Sequence, residues 1–301
     1  MTDLARYVLI QSASLLQEFA DRLAAGIANL GLSAQPPIAV PIQPMPLSTG
    51  WGYASAVALQ LASQSDYSAV ELAQQIIGSA DYGVQASGWI DCRLTEAAIA
   101  DWLQKVSQRP PQLLTSQPLV ANENPGLSNA LSPELIFKLQ YAHARCCSLL
   151  RLADRDQLLQ LSEPNPLNSP RLWQIVAPAA MPWLTSSGHL RLVHPQEKLL
   201  LQQLLEFPGW LAGSVRYSSI AASYNQTVIL IPWPPAPKAV ERQIQLLCDR
   251  FEGFYRHCRI WGEVKENSEL AIARLGLVAA THAVIQFWLR DLLGLDFPLE
   301  L

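Results

Sequence analysis

The sequence predicts a mainly helical protein, with a small α+β domain at the N-terminus and a helical bundle at the C-terminus. Three observations carry that expectation. Half of the 301 residues are hydrophobic, enough at this length for a sizeable core and two domains. Apolar residues recur at helical spacing across 136–153, 192–208, 239–261 and 269–293. Alternating or β-branched runs are short and isolated, at 38–42, 84–94 and 227–231. The expected division is a domain over 1–108, a linker over 109–133, and a bundle over 134–301 with insertions at 156–190 and 215–237.

In chain order, Ser12 to Leu30 reads as an amphipathic helix with Leu15, Leu16, Phe19, Leu23 and Ile27 on one side, stopped by Gly31. Pro36 to Pro46 is proline-punctuated and extended, with Ile38, Val40 and Ile42 alternating. A second helix is expected over Trp51–Gln64. Ser68 and Glu71 form a capping box for a third. Val84–Leu94 is a hairpin or strand pair, and Thr95 opens a fourth helix over Glu96–Val106. The stretch from Arg109 to Pro133 has the Pro, Asn, Gly and Ser content of a linker.

The bundle opens on Gln140-Tyr-Ala-His-Ala-Arg-Cys-Cys-Ser-Leu-Leu-Arg151. At 3.6 residues per turn, Ile136, Leu139, His143, Cys146, Cys147, Leu150 and Ala153 share one face. Tyr141, Arg145, Ser148 and Arg155 fall opposite, with Arg151 beside them. Guanidinium forks, an aromatic ring and a hydroxyl are the groups that meet phosphate or carboxylate. An ordinary solvated face uses the same residue types. Residues 156–190 read as a loop-rich insertion with Trp173 and Trp183. Residues 215–237, with Ile229 and Trp233, read as a strand or hairpin arm. These four apolar side chains are candidates for a protein-partner surface.

Charge and cysteine usage narrow the classes. The formal net charge is −4, against a general nucleic-acid binder. Residues 1–108 hold four basic residues (Arg6, Arg22, Arg93, Lys105) against nine acidic ones, and the remainder holds seventeen against sixteen. RNA contact, if any, falls to the C-terminal part. The five cysteines form no C-x-x-C pair, so free buried thiols are expected, and neither a disulfide framework nor a zinc site. No secretory leader pattern is present, and Val228-Ile-Leu-Ile231 is read as the longest strongly apolar patch, too short to cross a bilayer. The expectation is a cytoplasmic protein without a membrane span, cofactor or metal.

No catalytic constellation stands out. The five histidines include no His-x-Gly-His, the lysines no KMSK-like loop, and no Gly-rich phosphate loop or G-x-S-x-G elbow occurs. His194 before Pro195 reads as a cap or turn. His257 and Cys258 point about 100° apart on a helix, which disfavours a thiol–imidazole pair. Asp154/Asp156 and Glu263/Glu266/Glu269 read as solvated helix ends.

The helix over 140–151 resembles the opening helix of the DALR anticodon-binding bundle of arginyl-tRNA synthetases. Leu192 to Pro208 with its Glu206-Phe-Pro ending, Phe251-Glu-Gly-Phe-Tyr-Arg-His-Cys-Arg-Ile260, Ala273-Arg-Leu-Gly-Leu-Val278 and Leu292-Leu-Gly-Leu295 resemble later motifs of that bundle in the same order. Tyr53–Ala62, Ala69–Ile76 and Gly88-Trp-Ile-Asp-Cys-Arg-Leu94 resemble the N-terminal additional domain of the same family. There an aromatic residue and an Asn read a base of the tRNA D-loop; Trp89 and Asp91 stand at those places. The catalytic core that separates the two modules in the family is not found between them, so the resemblance implies a protein that does not charge tRNA. It implies binding of tRNA or structured RNA through Tyr141, Arg145, Arg151, Tyr255, Arg256 and Arg259, with Trp89 in the N-terminal module. Trp89 also fits a half-buried sheet residue, and Tyr255 a core-edge residue. Two further readings stay open: a repurposed protein-interaction scaffold, and a tRNA-binding subunit acting in trans to a synthetase.

Overall fold

The computed structural model describes residues 7–11, 15–31, 39–78, 82–108, 112–113, 126–162, 174–212, 215–216, 228–232 and 236–300. The elements in chain order are β1 (Tyr7–Gln11), α1 (Leu15–Asn29), β2 (Ala39–Val40), β3 (Ile42–Pro44), β4 (Gly52–Ser55), α2 (Val57–Ala62), α3 (Ala69–Ile77), β5 (Gly83–Val84), β6 (Ile90–Arg93) and α4 (Glu96–Gln108). They continue with β7 (Gln112–Leu113), α5 (Gly126–Asn129), α6 (Pro133–Arg155), β8 (Gln160–Leu161), β9 (Ile175–Ala177), α7 (Pro195–Ala212), β10 (Val215–Arg216), β11 (Val228–Pro232), α8 (Pro237–His257) and α9 (Ser268–Phe287). The chain forms two compact units, residues 1–98 with 205–233, and residues 99–204 with 234–301.

The first unit is α+β. A four-stranded antiparallel sheet runs in the order β3-β4-β6-β5, and Phe19, Leu23, Ile27, Val57, Leu72, Ile76 and Ile90 are buried in the unit. The capping box at α3 is formed as expected: Ser68 Oγ accepts from Glu71 N, and Glu71 Oε2 accepts from Ser68 N. The helix expected over residues 51–64 is instead a strand followed by a short helix. Gly52 decides this, because a Cβ there would lie 2.3 Å from the Cys92 carbonyl oxygen, so β4 can pair closely with β6. The 215–237 insertion supplies two strands. β10 pairs antiparallel with β2, and β11 pairs along its whole length with β1, from Tyr7↔Pro232 to Gln11↔Val228. β1 itself was not anticipated from the sequence.

The second unit is a helical bundle. Ser132 caps α6, its Oγ accepting from Leu135 N, with Pro133 at the first helical position. α6 packs on α8 and α9. Along α9 every residue from Ala273 to Phe287 is buried, and the chain continues as one π-helical turn, Trp288–Leu292. Val228–Ile231 is therefore not the longest apolar run. Ser268–Leu292 is long and apolar enough to cross a membrane by composition, but 89% of its apolar window is buried inside the protein.

The 156–190 insertion is less loop-like than its prolines suggested. β8 and β9 pair antiparallel, and Met181, Trp183 and Leu190 are core residues. Trp183 is 3% exposed, which corrects its assignment to a docking surface. Its Nε1–H donates to Gln104 Oε1 at 3.0 Å, and its ring fits against Gly276, where a Cβ would lie 2.4 Å from Trp183 Cη2. Trp173, Trp233 and the Ile229 side chain lie outside the described residues. All five cysteines are free, four of them buried.

Candidate nucleic-acid interface

The outward face of α6 is set by its inward one. Leu139, His143, Cys146, Cys147, Leu150 and Ala153 are buried, so helical geometry turns Tyr141 and Arg145 outward. Tyr141 is 47% and Tyr255, from α8, 40% exposed, large values for aromatic residues. Arg145 joins them: its guanidinium carbon stands 4.7 Å from the Tyr255 ring centroid and 5.9 Å from that of Tyr141. This is cation–π range, and it pre-orients a flexible side chain. One turn earlier, Phe137, 57% exposed, stacks on Tyr141 with centroids 6.3 Å apart.

Beside this cluster lies an open depression of about 420 Å³. Leu149, Leu152, Phe254 and Ile260 supply apolar lining, and Arg145, Ser148, Tyr255, Arg259 and Trp261 supply rings and hydrogen-bonding groups. Neither Arg145 nor Arg259 has a carboxylate partner among the described residues. Two guanidinium groups and two aromatic rings at one concavity suit a phosphate-bearing ligand with stackable rings.

Buried ionic contacts hold the far wall. Arg274, 8% exposed at its side chain, donates from Nε to Glu197 Oε1 at 2.6 Å and from Nη1 to the Arg259 carbonyl at 2.7 Å. Glu263 Oε1 is 3.5 Å from the same Nη1. The carbonyl contact fixes the turn that presents Arg259. Trp261 Nε1 donates to Asp156 Oδ2 at 2.8 Å. That bond, aided by Arg155, holds the Asp156 carboxyl below its usual range. Asp154 and Glu263 are likewise engaged, Asp154 Oδ1 accepting from Leu161 N. These carboxylates are ties within the bundle and not merely solvated helix ends.

The remaining expected residues are placed differently. Arg151 is turned to the chain's own C-terminal segment, donating to the Leu299 carbonyl at 3.2 Å and pairing with Glu300 Oε1 at 2.9 Å. Arg256 pairs with Glu252 one turn back on α8, at 2.5 Å. Trp89 belongs to the first unit, half-buried in the turn before β6, with its carbonyl accepting from Gln85 N. Asp91 accepts from Gln85 Nε2 at 2.8 and 3.0 Å. Cys258 faces the His194 Nδ1 at 3.4 Å, whereas His257 turns to the Gly253 carbonyl. Burial pushes the Cys258 thiol up to about 12, so it stays protonated near neutrality. His194 caps α7, its Nδ1 accepting from Gln196 N.

The sequence reading missed Phe137, Trp261 and the role of Arg274. Phe137 was legible as the i−4 neighbour of Tyr141 on the same face. Trp261 and Arg274 act through contacts 105 and 77 residues distant in sequence, which no local spacing reveals.

The family model of the DALR anticodon binding domain matches residues 139–301. Among curated proteins, the arginine–tRNA ligase of Synechococcus sp. (strain JA-3-3Ab) is 31% identical over 163 residues, covering 54% of this chain and 22% of the ligase. That of Gloeobacter violaceus is 30% identical over 188 residues, 61% of this chain and 26% of the ligase. That of Frankia alni is 34% identical over 164 residues, 54% and 22% respectively. The chain thus matches about a quarter of these relatives' length. No solved structure matches it.

Proposed function

The chain belongs to the DALR anticodon binding domain family, and from that premise we propose that it binds tRNA through the α6–α8 depression without charging it. The observation that carries the reading is the meeting of Tyr141, Arg145 and Tyr255 beside a concavity that also holds Arg259. Tyr255 stacks an unpaired base, Arg145 and Arg259 meet flanking phosphates, and the apolar lining excludes water beneath the base. Arg151 and Arg256, held by Glu300 and Glu252, join only when those carboxylates give way. Trp89 is the candidate for a second contact from the N-terminal unit. The matched segment is the anticodon-binding part of the relatives, and residues 1–301 contain neither adenylate-forming motif, which supports a role in binding and not in ligation.

Fluorescence anisotropy with labelled tRNA, across a salt series, tests binding. The expected result is a linear fall of log affinity with log salt, its slope reporting two or more phosphate contacts. Affinity at low salt no better than that of an acidic control protein defeats the proposal. Arginine-dependent ATP–pyrophosphate exchange by the purified chain defeats its second half.

A further inference from the structure

Behind the RNA-facing side of α6 lies a cluster that tRNA binding does not use. His143 and Cys147 stand one turn apart on α6, and His282 reaches the same point from α9. Cys147 Sγ lies 3.7 Å from His143 Nδ1 and 3.5 Å from His282 Nε2. All three side chains are buried, with one donor atom from each within 4.8 Å of the other two. A tetrahedral zinc ion, with Zn–S about 2.3 Å and Zn–N about 2.0–2.1 Å, sets sulfur and nitrogen about 3.6 Å apart. Both observed separations match that edge.

Without an ion the cluster's contacts are hydrogen bonds, and one polar atom stays outside them. The Pro298 carbonyl takes the His143 Nδ1–H, which leaves the thiol proton for His282 Nε2, while His143 Nε2 is buried without a hydrogen-bond partner among the described residues. The Pro298 carbonyl oxygen lies 3.0 Å from His143 Nδ1, and the Phe297 ring stands edge-on to the His143 ring at 5.5 Å. A carbonyl and an aromatic edge thus border the three donors on the side of the C-terminal segment.

We propose that His143, Cys147 and His282 form a binding site for a borderline-soft divalent cation of the zinc class, with the Pro298 carbonyl as the oxygen donor beside it. Each imidazole enters as a neutral lone-pair donor, and the thiol as a thiolate. On loading, His143 carries its proton on Nε2 and gives Nδ1 to the cation, Pro298 exchanges its imidazole contact for the metal, and Cys147 releases its thiol proton to solvent. The thiolate cancels one of the two charges brought inside. Cysteine spacing alone pointed away from zinc because the ligands come from helices 135 residues apart. The same ion would fasten the C-terminal segment, whose next residues hold Arg151.

The test is a Co²⁺ titration of the purified full-length chain after chelator dialysis. The expected result is a thiolate-to-cobalt charge-transfer band that saturates at one equivalent, is displaced by Zn²⁺, and is accompanied by release of about one proton. Cys147→Ser abolishes the band, His282→Gln weakens cobalt affinity at least tenfold, and Cys92→Ser leaves both unchanged. Absence of the band in the wild-type chain, or its survival in Cys147→Ser, overturns the proposal. The wild-type titration decides even where a variant fails to fold.

Discussion

The two faces of α6 obey different rules. The inner face, from Leu139 to Ala153, is specified by volume: small side chains and thiols let α8 and α9 approach, and a change of size there acts on folding. The outer face, from Phe137 to Ser148, is specified by chemistry, with rings and guanidinium groups left partly in water beside a concavity. One stretch of sequence writes both at a period of 3.6. The difference teaches that exposure of large aromatic residues next to arginines with no carboxylate partner among the described residues, and not hydrophobicity, separates the proposed binding side from the core side.

The largest effect is expected away from both faces, at the buried ion pair that holds the wall of the depression. Arg274→Ala leaves Glu197, fully buried, without its partner and frees the Arg259 carbonyl. Breaking such a pair costs about 3–5 kcal/mol, read as a shift in the urea midpoint. Arg274→Met restores packing but not the tie. It is expected to recover part of the stability while RNA affinity stays low, because Arg259 is no longer presented. Full recovery of both would show that the wall needs no ionic support.

The second prediction separates the faces directly. Tyr255→Ala is expected to lower tRNA affinity by about 1–3 kcal/mol, the contribution of a stacked base, with little change in stability since its ring is 40% exposed. Anisotropy titration and thermal melting together check it. A stability loss without an affinity loss would return Tyr255 to the core edge.

Much of this organisation was legible in the sequence, for identifiable reasons. The periodicity of α6 sorted Leu139, His143, Cys146 and Cys147 from Tyr141 and Arg145, and the capping box at Ser68–Glu71 marked α3, because both are local geometry. The strand at Gly52–Ser55 was misread as helix because its Ala-rich continuation has helical propensity, and only the pairing with β6 decides otherwise. Trp183 was misplaced because proline-rich context suggests exposed loop, whereas its burial depends on Gly276 far along the chain. The self-pairing of Arg151 and Arg256 was hidden for a similar reason: spacing shows where an arginine points but not which carboxylate reaches it.

The inner face has its own handle, pH. His282 is held at about 3 against an ordinary 6.5, first by burial and then by the neighbouring His143, which burial also lowers. A histidine depressed in the folded state binds its proton more readily when unfolded. The stability it contributes is complete above pH 6.5 and is lost as pH falls through the window from 6.5 toward 3. For the metal-free chain in chelator, the loss from His282 alone is about 1.4 kcal/mol per pH unit, and His282→Gln is expected to flatten the slope. Urea midpoints between pH 7.5 and about 5 measure it. An unchanged slope in the variant would place the acid sensitivity elsewhere.

The smallest effect bears on the outer face and its neighbour, the C-terminal segment. Arg151 follows the outer stripe of α6 in sequence but is turned to the C-terminal segment, tied to Glu300, whose side chain is 78% exposed, and to the Leu299 carbonyl. An exposed pair of this kind contributes about 0–1 kcal/mol, so Glu300→Gln should leave the melting temperature nearly unchanged. Phosphate competes for the same guanidinium at little cost once the carboxylate is neutralised. tRNA affinity at low salt is therefore expected to rise a few-fold, and the salt slope to steepen by up to about one, the value of one added phosphate contact. Arg151→Gln in the same background should remove that increment. An unaltered slope in Glu300→Gln would assign Arg151 to holding the C-terminal segment, and leave Arg145 and Arg259 as the cations that meet RNA.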